Sequence, residues 1–379
     1  MDYFEQLPSF FKLGLTAFGG PAMVVYIQRL AVENKRWLDP ITFNEGVALS
    51  QIVPGPIAMH VAGFVGFKLR GMIGAIITYS AFSLPAFLLM LFLSYLYKKT
   101  SDIPQVVSLF VGLKVIVVAI VANAFFTFTR SILKSKAEIF IAFFSFLLLL
   151  IKINPFILIV LCFIFSQFLV KVKHSISDHH INQTLNLIPP FLGLLLIILG
   201  LTILYILDKK TFQLSLIMAK INLFSFGGAY TALPLMLHEL VENMMFFDSK
   251  TFIDGIALGQ ITPGPILITA TFAGYLVCGL PCAFLATFYA FSPSFLIYLI
   301  CANLTTKIRN HPVFLRGKKG ILSTFSALLL FATFKICSTI DWTLVKIVLF
   351  FISFFALNRG INILYIILFG SLFSIIYFS

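Results

Sequence analysis

The sequence predicts an all-α polytopic membrane protein made of two homologous helical halves. Three observations carry that expectation: apolar runs long enough to cross hydrocarbon, a shortage of charge, and one unusual motif written twice. Of 379 residues, 60% are hydrophobic and 11% charged, and mean hydropathy is +1.04. A soluble domain carries about 25% charged residues, so this chain lacks the polar groups to cover a surface facing water. About ten to thirteen membrane segments are expected, some re-entrant, since a helix needs roughly 20 apolar residues to span a bilayer. The N-terminal stretch MDYFEQLPSFFK has no basic region followed by an apolar core and a small-residue cleavage site. The first apolar segment is therefore read as part of the fold.

Net charge is +13, yet the 27 Lys and Arg are scattered over short connections: Lys98–Lys99, Arg130/Lys134/Lys136, Lys171/Lys173, and Lys307 to Lys319. That distribution suits juxtamembrane loops. A nucleic-acid surface would be one continuous basic face, and none can be traced, so the expected surroundings are a lipid bilayer and no nucleic acid. The five cysteines lie in apolar stretches without CxxC spacing and read as small buried hydrophobes rather than metal ligands. His238-Glu239 does not continue into HExxH, and no P-loop, dinucleotide fingerprint or Ser/His/Asp set occurs in a suitable context. No catalytic residue, metal or cofactor is expected, and the chain does not read as an enzyme.

The repeat orders everything else. At an offset of 208, Lys12, Leu15, Phe18, Gly19 and Gly20 match Lys220, Leu223, Phe226, Gly227 and Gly228. The offset then becomes 209, and 15 of the 26 residues from 32 to 57 equal their partners. Ala81-Phe82-Ser83 likewise matches Ala290-Phe291-Ser292. Each half holds a helix with FGG near its middle, a polar link, a PGP segment, a long apolar span (71–97 and 279–303) and plainer spans. Further helices are expected near 104–129, 137–151, 154–170, 187–207, 321–338, 342–357 and 360–378, with Asn154-Pro155 as a tight turn. Residues 1–175 form the first repeat, 176–211 a linker and connecting helix, and 212–379 the second repeat. The polar stretch 171–186, with His179-His180, reads as the boundary between halves, its histidine pair solvated rather than metal-bound.

The chemistry sits in the breaks. A helix in lipid must satisfy its own backbone groups, and Gly19-Gly20-Pro21 and Pro54-Gly55-Pro56 cannot do so, nor can Gly227-Gly228 and Pro263-Gly264-Pro265. Proline lacks the donor, and glycine favours non-helical dihedrals. Such breaks persist at membrane depth where they line a cavity or are buried in protein, and matched breaks in two halves are the pattern of repeat transporters. Pro21, Pro56 and Pro265 are placed to begin half-helices, whose free N–H groups and positive end suit an oxyanion. Kinks that only shape packing are the plainer alternative.

Lys12 and Lys220 each precede the first glycine of their FGG by seven residues. A charge at that depth marks a functional site by default, unless it snorkels to the interface. Gln51 and Gln260 precede their PGP by three and can donate to an anion. Glu45 and Asp254 precede it by nine, placed either to carry a coupling proton or to begin a helix at the interface. His60 stands four residues past Pro56, opposite Thr269 in the second half. It is a candidate proton sensor, or a hydrogen-bonded packing residue.

FFKLGLTAFGGPA (10–22), ENKRWLDPITFNEGVALSQIVPGP (33–56) and AFSLPAF (81–87) together resemble the first domain of long-chain chromate transporters. KINLFSFGGAY (220–230), FIDGIALGQITPGP (252–265) and AFSPSF (290–295) resemble the second. The resemblance is close over about 10–100 and 218–303 and rests on hydropathy elsewhere. It implies an inner-membrane secondary carrier that exports chromate, a tetrahedral dianion shaped like sulfate, through two domains of opposite orientation. The basic stretches after the matched spans occupy equivalent positions, which taken alone would make the halves parallel. One departure is Ala229, which follows the second FGG where Pro21 follows the first. Sulfate, molybdate or another anion suits the same donors, and a passive anion channel remains a further alternative. Energy coupling and a homodimer are left open.

Overall fold

The computed structural model describes residues 3–18, 22–171, 188–309 and 311–378, all helix, turn or loop with no strand among them. The all-α expectation holds, and so does the duplication, element by element. In the first half come α1 (Tyr3–Thr16), α2 (Ala22–Gln28), α3 (Pro40–Ser50), α4 (Ile57–Thr100), α5 (Pro104–Ile132), α6 (Lys136–Leu150) and α7 (Pro155–Leu169). After α8 (Ile188–Leu207), the second half repeats them as α9 (Lys209–Phe224), α10 (Ala232–Met236), α11 (Ser249–Ile261), α12 (Thr269–Cys278), α13 (Leu280–Arg309), α14 (Pro312–Cys337), α15 (Leu344–Asn358) and α16 (Ile363–Phe378). The second half has one more helix only because Gly71, with φ 60°, kinks α4 where Gly279, with φ 81°, separates α12 from α13. Among the described residues, only α8 has no counterpart.

Local chemistry is duplicated with the helices. Both short second helices run into π-helical turns, Arg29–Asn34 and Leu237–Asn243. Each is followed by one left-handed non-glycine residue, Arg36 (φ 50°) and Met245 (φ 49°). Asp39 caps α3 by accepting from Ile41 and Thr42, and Asp248 accepts from Thr251 at the start of α11. The Thr42 N–H holds the Asp39 carboxyl below its ordinary range, because a carboxylate that accepts backbone N–H bonds is favoured in its charged form. Asn154 and Asn362 cap α7 and α16 alike, accepting from Phe156 and Leu364.

Among the described residues, five helices are long and apolar enough to cross a membrane: Ile57–Thr100, Pro104–Ile132, Ile188–Leu207, Leu280–Ala302 and Pro312–Cys337. Shorter apolar helices accompany them at Pro155–Leu169, Ile266–Cys278, Leu344–Asn358 and Ile363–Phe378. On α8, Leu192, Leu195, Leu196 and Leu199 are each more than half exposed. That surface suits hydrocarbon, not water.

Two compact units are present, and each collects matching pieces of both halves. The first takes Met1–Lys99, Asn182–Ala229 and Leu258–Thr305; the second takes Thr100–Ile181, Tyr230–Ala257 and Thr306–Ser379. In the first, a hairpin folds so tightly that a Cβ on Gly66 would lie 2.2 Å from the Gly74 carbonyl oxygen. The repeat copies this, with Gly274 at 2.3 Å from the Cys282 carbonyl oxygen. In the second, α5 packs on α14, α15 and α16, while α14 packs on α5, α6 and α7. Partners are exchanged between halves. Small residues allow the approach: a Cβ on Gly112 would meet Ser374 Oγ at 2.6 Å, and one on Gly320 would meet the Cys162 carbonyl oxygen at 2.6 Å.

Four expectations need correction or limits. The second FGG does not sit within a helix, since α9 ends at Phe224; α1 ends at Thr16, before the first, whose two glycines lie outside the described residues. Lys98 and Lys99 form the last turn of α4, and Lys307 to Lys319 is not a loop, since α13 runs to Arg309 and Pro312 starts α14 at its first turn. Within α14, Lys319 pairs with Glu138 at 2.9 Å. Cys278 and Cys282 are not isolated hydrophobes; the turn at Gly279 brings their Cα atoms to 5.5 Å and they are bonded. The boundary read at 171–186, with His179 and His180, lies outside the described residues from 172 onward.

Gly320→Ala is expected to destabilise the protein by about 1–3 kcal/mol, the usual range for overpacking, in thermal unfolding of detergent-purified protein. Gly112→Ala should fall in the same range, because it meets both Cβ and Oγ of Ser374, a buried serine held by the Gly112 N–H and the Ser108 carbonyl.

Candidate functional site

The first unit brings the helix breaks together crosswise. The Gly55 N–H, in the first PGP turn, donates to the Ser225 carbonyl at the end of α9, 2.8 Å away. The Gly264 N–H, in the second PGP turn, donates to the Ala17 carbonyl at the end of α1, 3.0 Å away. Ala17 and Ser225 are repeat partners, as are Gly55 and Gly264, so the two hydrogen bonds are the same bond made twice with the halves exchanged. Each bond solves two problems together. It gives a partner to a turn amide freed by proline, and it satisfies one of the terminal carbonyls that every helix leaves open.

Glycine is required in these turns. Gly55 and Gly264 have φ of 107° and 105°, a region costly for residues with a Cβ. Pro54, Gly55, Pro56, Pro263 and Pro265 are buried and Gly264 is half-buried. The half-helix Ile57 onward starts directly after Pro56, and Pro265 begins a 3-10 turn that runs into α12. Gly227 (φ 90°) is exposed and Gly228 (φ 111°) half-buried, the latter beside Ile57, whose Cδ1 lies 3.9 Å from where a Cβ would be. Gly19, Gly20 and Pro21 lie outside the described residues.

The two crossings differ in chemistry. Around Gly55 the neighbours are polar. His60, wholly buried just past the turn, shares a hydrogen bond of 3.1 Å between its Nε2 and Ser294 Oγ and stacks on Tyr298 at 4.9 Å. Tyr298 in turn donates to the Gly46 carbonyl at 3.0 Å. Pro293 interrupts the α13 ladder, and the next N–H, that of Ser294, donates to Asn222 Oδ1 at 2.7 Å. Around Gly264 the neighbours are apolar: a Cβ there would touch Ala86 at 3.1 Å, and Gly14 packs against the Phe82 carbonyl.

Other sequence-predicted residues are spread more widely. Gln51 is exposed, while Gln260 is half-buried and its Nε2 has no partner. Lys12 is exposed on α1 and Lys220 half-buried on α9; Glu45 is half-buried on α3. Asp254 belongs to the second unit, where it forms an ion pair with Lys114 at 3.3 Å, its side chain 7% exposed. Sequence reading passed over Lys114, although a lone lysine inside an apolar 29-residue helix was signal enough. It also passed over Asn222 and Ser294, which stand where the first half has Gly14 and Pro85. A second charged group in that unit joins Glu242 to both Lys335 and His238, the latter at 3.1 Å.

A family model described as Chromate transporter matches residues 4–167 and again 212–375. An uncharacterized transporter of Methanocaldococcus jannaschii is 40% identical over 365 residues, 95% of this chain and 90% of that protein. Chromate transport proteins of Cupriavidus metallidurans and Pseudomonas aeruginosa are each 29% identical, over 82% and 79% of this chain and 77% and 73% of theirs. No solved structure matches.

Two outcomes test this geometry. Gly55→Ala and Gly264→Ala share the same φ strain, but only the former drives a Cβ to 2.4 Å from Ser294 Oγ. Gly55→Ala should therefore give the lower thermal midpoint of the two. Lys114→Ala should cost about 3–5 kcal/mol by removing one partner of a buried ion pair, and the double variant with Asp254→Ala should recover most of that loss in the same assay.

Proposed function

The chain belongs to the chromate transporter family, and we propose that it is a secondary carrier exporting chromate across the inner membrane. The observation that carries this reading is the pair of exchanged hydrogen bonds, Gly55 to Ser225 and Gly264 to Ala17. They gather the ends of interrupted helices in one place. Helix starts there offer N–H donors and a partial positive charge to an oxyanion, and the relatives named as chromate transport proteins supply the substrate class. Substrate is held near the FGG and PGP segments, with no covalent chemistry, so the protein acts as a transporter and not as an enzyme.

The halves run in opposite senses in this reading. The single helix α8 has no repeat partner, and one unpaired crossing between two homologous halves reverses the second when each begins and ends on the same side. An inside-negative potential drives a dianion outward with about 4–5 kcal/mol per 100 mV. A coupled proton would serve Glu45, Asp254 or His60.

Chromate flux in proteoliposomes, with membrane potential and pH gradient imposed separately, tests the reading. Uptake that follows the imposed potential, is competed by sulfate or molybdate, and concentrates chromate against its gradient when a counter-ion is supplied is the expected result. Flux that only ever dissipates the electrochemical gradient would make the protein a channel, and no flux by the wild type would end the carrier reading. Lys12→Ala with Lys220→Ala is expected to lower flux about ten-fold if the lysines attract the anion, the size of one lost charge-assisted contact.

A further inference from the structure

The carrier reading above leaves open which side chains hold the anion, and the two crossings answer differently. At the first, Asn222 and His60 are both wholly buried. The Ser294 N–H donates to Asn222 Oδ1 at 2.7 Å, which fixes the amide orientation and leaves Nδ2 as the remaining donor. That Nδ2 has no partner. His60 is held through Nε2 by Ser294 Oγ at 3.1 Å, and its Nδ1 also has no partner. The tautomer in which the Ser294 hydroxyl donates to Nε2 carries the ring proton on Nδ1. In that tautomer two unpartnered N–H donors flank one serine, beside a turn where even a Cβ on Gly55 would lie 2.4 Å from Ser294 Oγ and 3.0 Å from His60 Cε1. Buried donors are nearly always satisfied, so a ligand rich in acceptors belongs there.

The repeat supplies a control within the same molecule. The positions matching His60, Asn222 and Ser294 are Thr269, Gly14 and Pro85. Thr269 spends its hydroxyl on the Ile266 carbonyl at 2.8 Å, glycine has no side chain, and proline has no N–H. Their crossing makes the same backbone bond but offers no free side-chain donor.

We propose that the oxyanion is coordinated at one crossing only, by Asn222 Nδ2–H and His60 Nδ1–H held in place by Ser294, while the Gly264 crossing is structural. This rests on the carrier reading, which supplies the oxyanion, and both free groups are donors of the kind that an acceptor-only ligand requires. A permanently bound water is the competing occupant.

Asn222→Asp keeps the acceptor for the Ser294 N–H and replaces the free donor with a carboxylate oxygen. It is expected to raise the KM for chromate at least about ten-fold, the worth of a lost donor to a charged group. It should also abolish the thermal stabilisation that chromate or sulfate gives the detergent-purified protein. His60→Asn places an amide N–H near the Nδ1 position, whereas His60→Gln keeps the reach to Ser294 and loses Nδ1. His60→Asn should retain the more transport of the two. Thr269→Val should leave the KM unchanged. A wild-type KM and full anion stabilisation in Asn222→Asp would show that Nδ2 faces water and overturn the proposal. If Asn222→Asp does not fold, equal loss in both His60 variants, or better transport by His60→Gln, overturns it instead. Absence of wild-type flux together with anion stabilisation that Asn222→Asp removes would sink the carrier reading and leave the binding site standing.

Discussion

Every helix-breaking turn in an apolar protein creates the same debt: an amide and a carbonyl that lipid will not satisfy. This chain settles it by letting the break in one half complete the helix end of the other. The Gly55 N–H meets the Ser225 carbonyl, and the Gly264 N–H meets the Ala17 carbonyl. Neither half could close both bonds alone, so the breaks are stable only where the halves interlock. The position of any site built from these helix ends follows from that constraint.

The same exchange recurs in the second unit. There α5 takes α15 and α16 from the other half, while α14 takes α6 and α7. The device is close approach at small residues with serine hydrogen bonds beside it: Gly112 against Ser374, to whose Oγ its N–H donates at 2.8 Å, and Gly320 against Ser166 and Cys162. With no aqueous drive to bring helices together in lipid, packing at small residues supplies the attraction. Two different physical means, one in each unit, produce the same swapped pairing, as expected when a duplicated sequence keeps its contacts but redistributes them between copies.

Much of this was legible in the chain. Length and hydropathy gave the helices, and the spacing of proline and glycine gave the breaks, because those residues act on the backbone directly. Helix starts at Pro104 and at Pro155, the latter capped by Asn154, were readable for the same reason. The exchange of partners was not, since identical motifs pair equally well within a half or across halves until packing chooses. Lys307 to Lys319 misled for a related reason: charge density suggested a loop, but lysine stems lie comfortably along a helix whose charged tips reach polar partners, as Lys319 does with Glu138. The Lys114–Asp254 pair was hidden because two residues 140 apart in sequence carry no local signal of meeting.

The side chains at the crossings show why duplication helps an anion site. Two equal copies would present matching donors at both crossings and bind the guest as tightly as their number allowed, whereas a carrier must also let go. Divergence relieved that conflict at little structural cost, since the bond that fixes each crossing is made by backbone and survives any side-chain change compatible with glycine at 55 and 264. Asn222 fits where the first half has Gly14 because the Ser294 N–H, next to Pro293, donates to its carbonyl. In the first half that place is occupied by Phe82, whose carbonyl oxygen would lie 2.4 Å from a Cβ on Gly14. Polarity could therefore enter on one side only. The asymmetry of the site follows from where each long helix carries its proline.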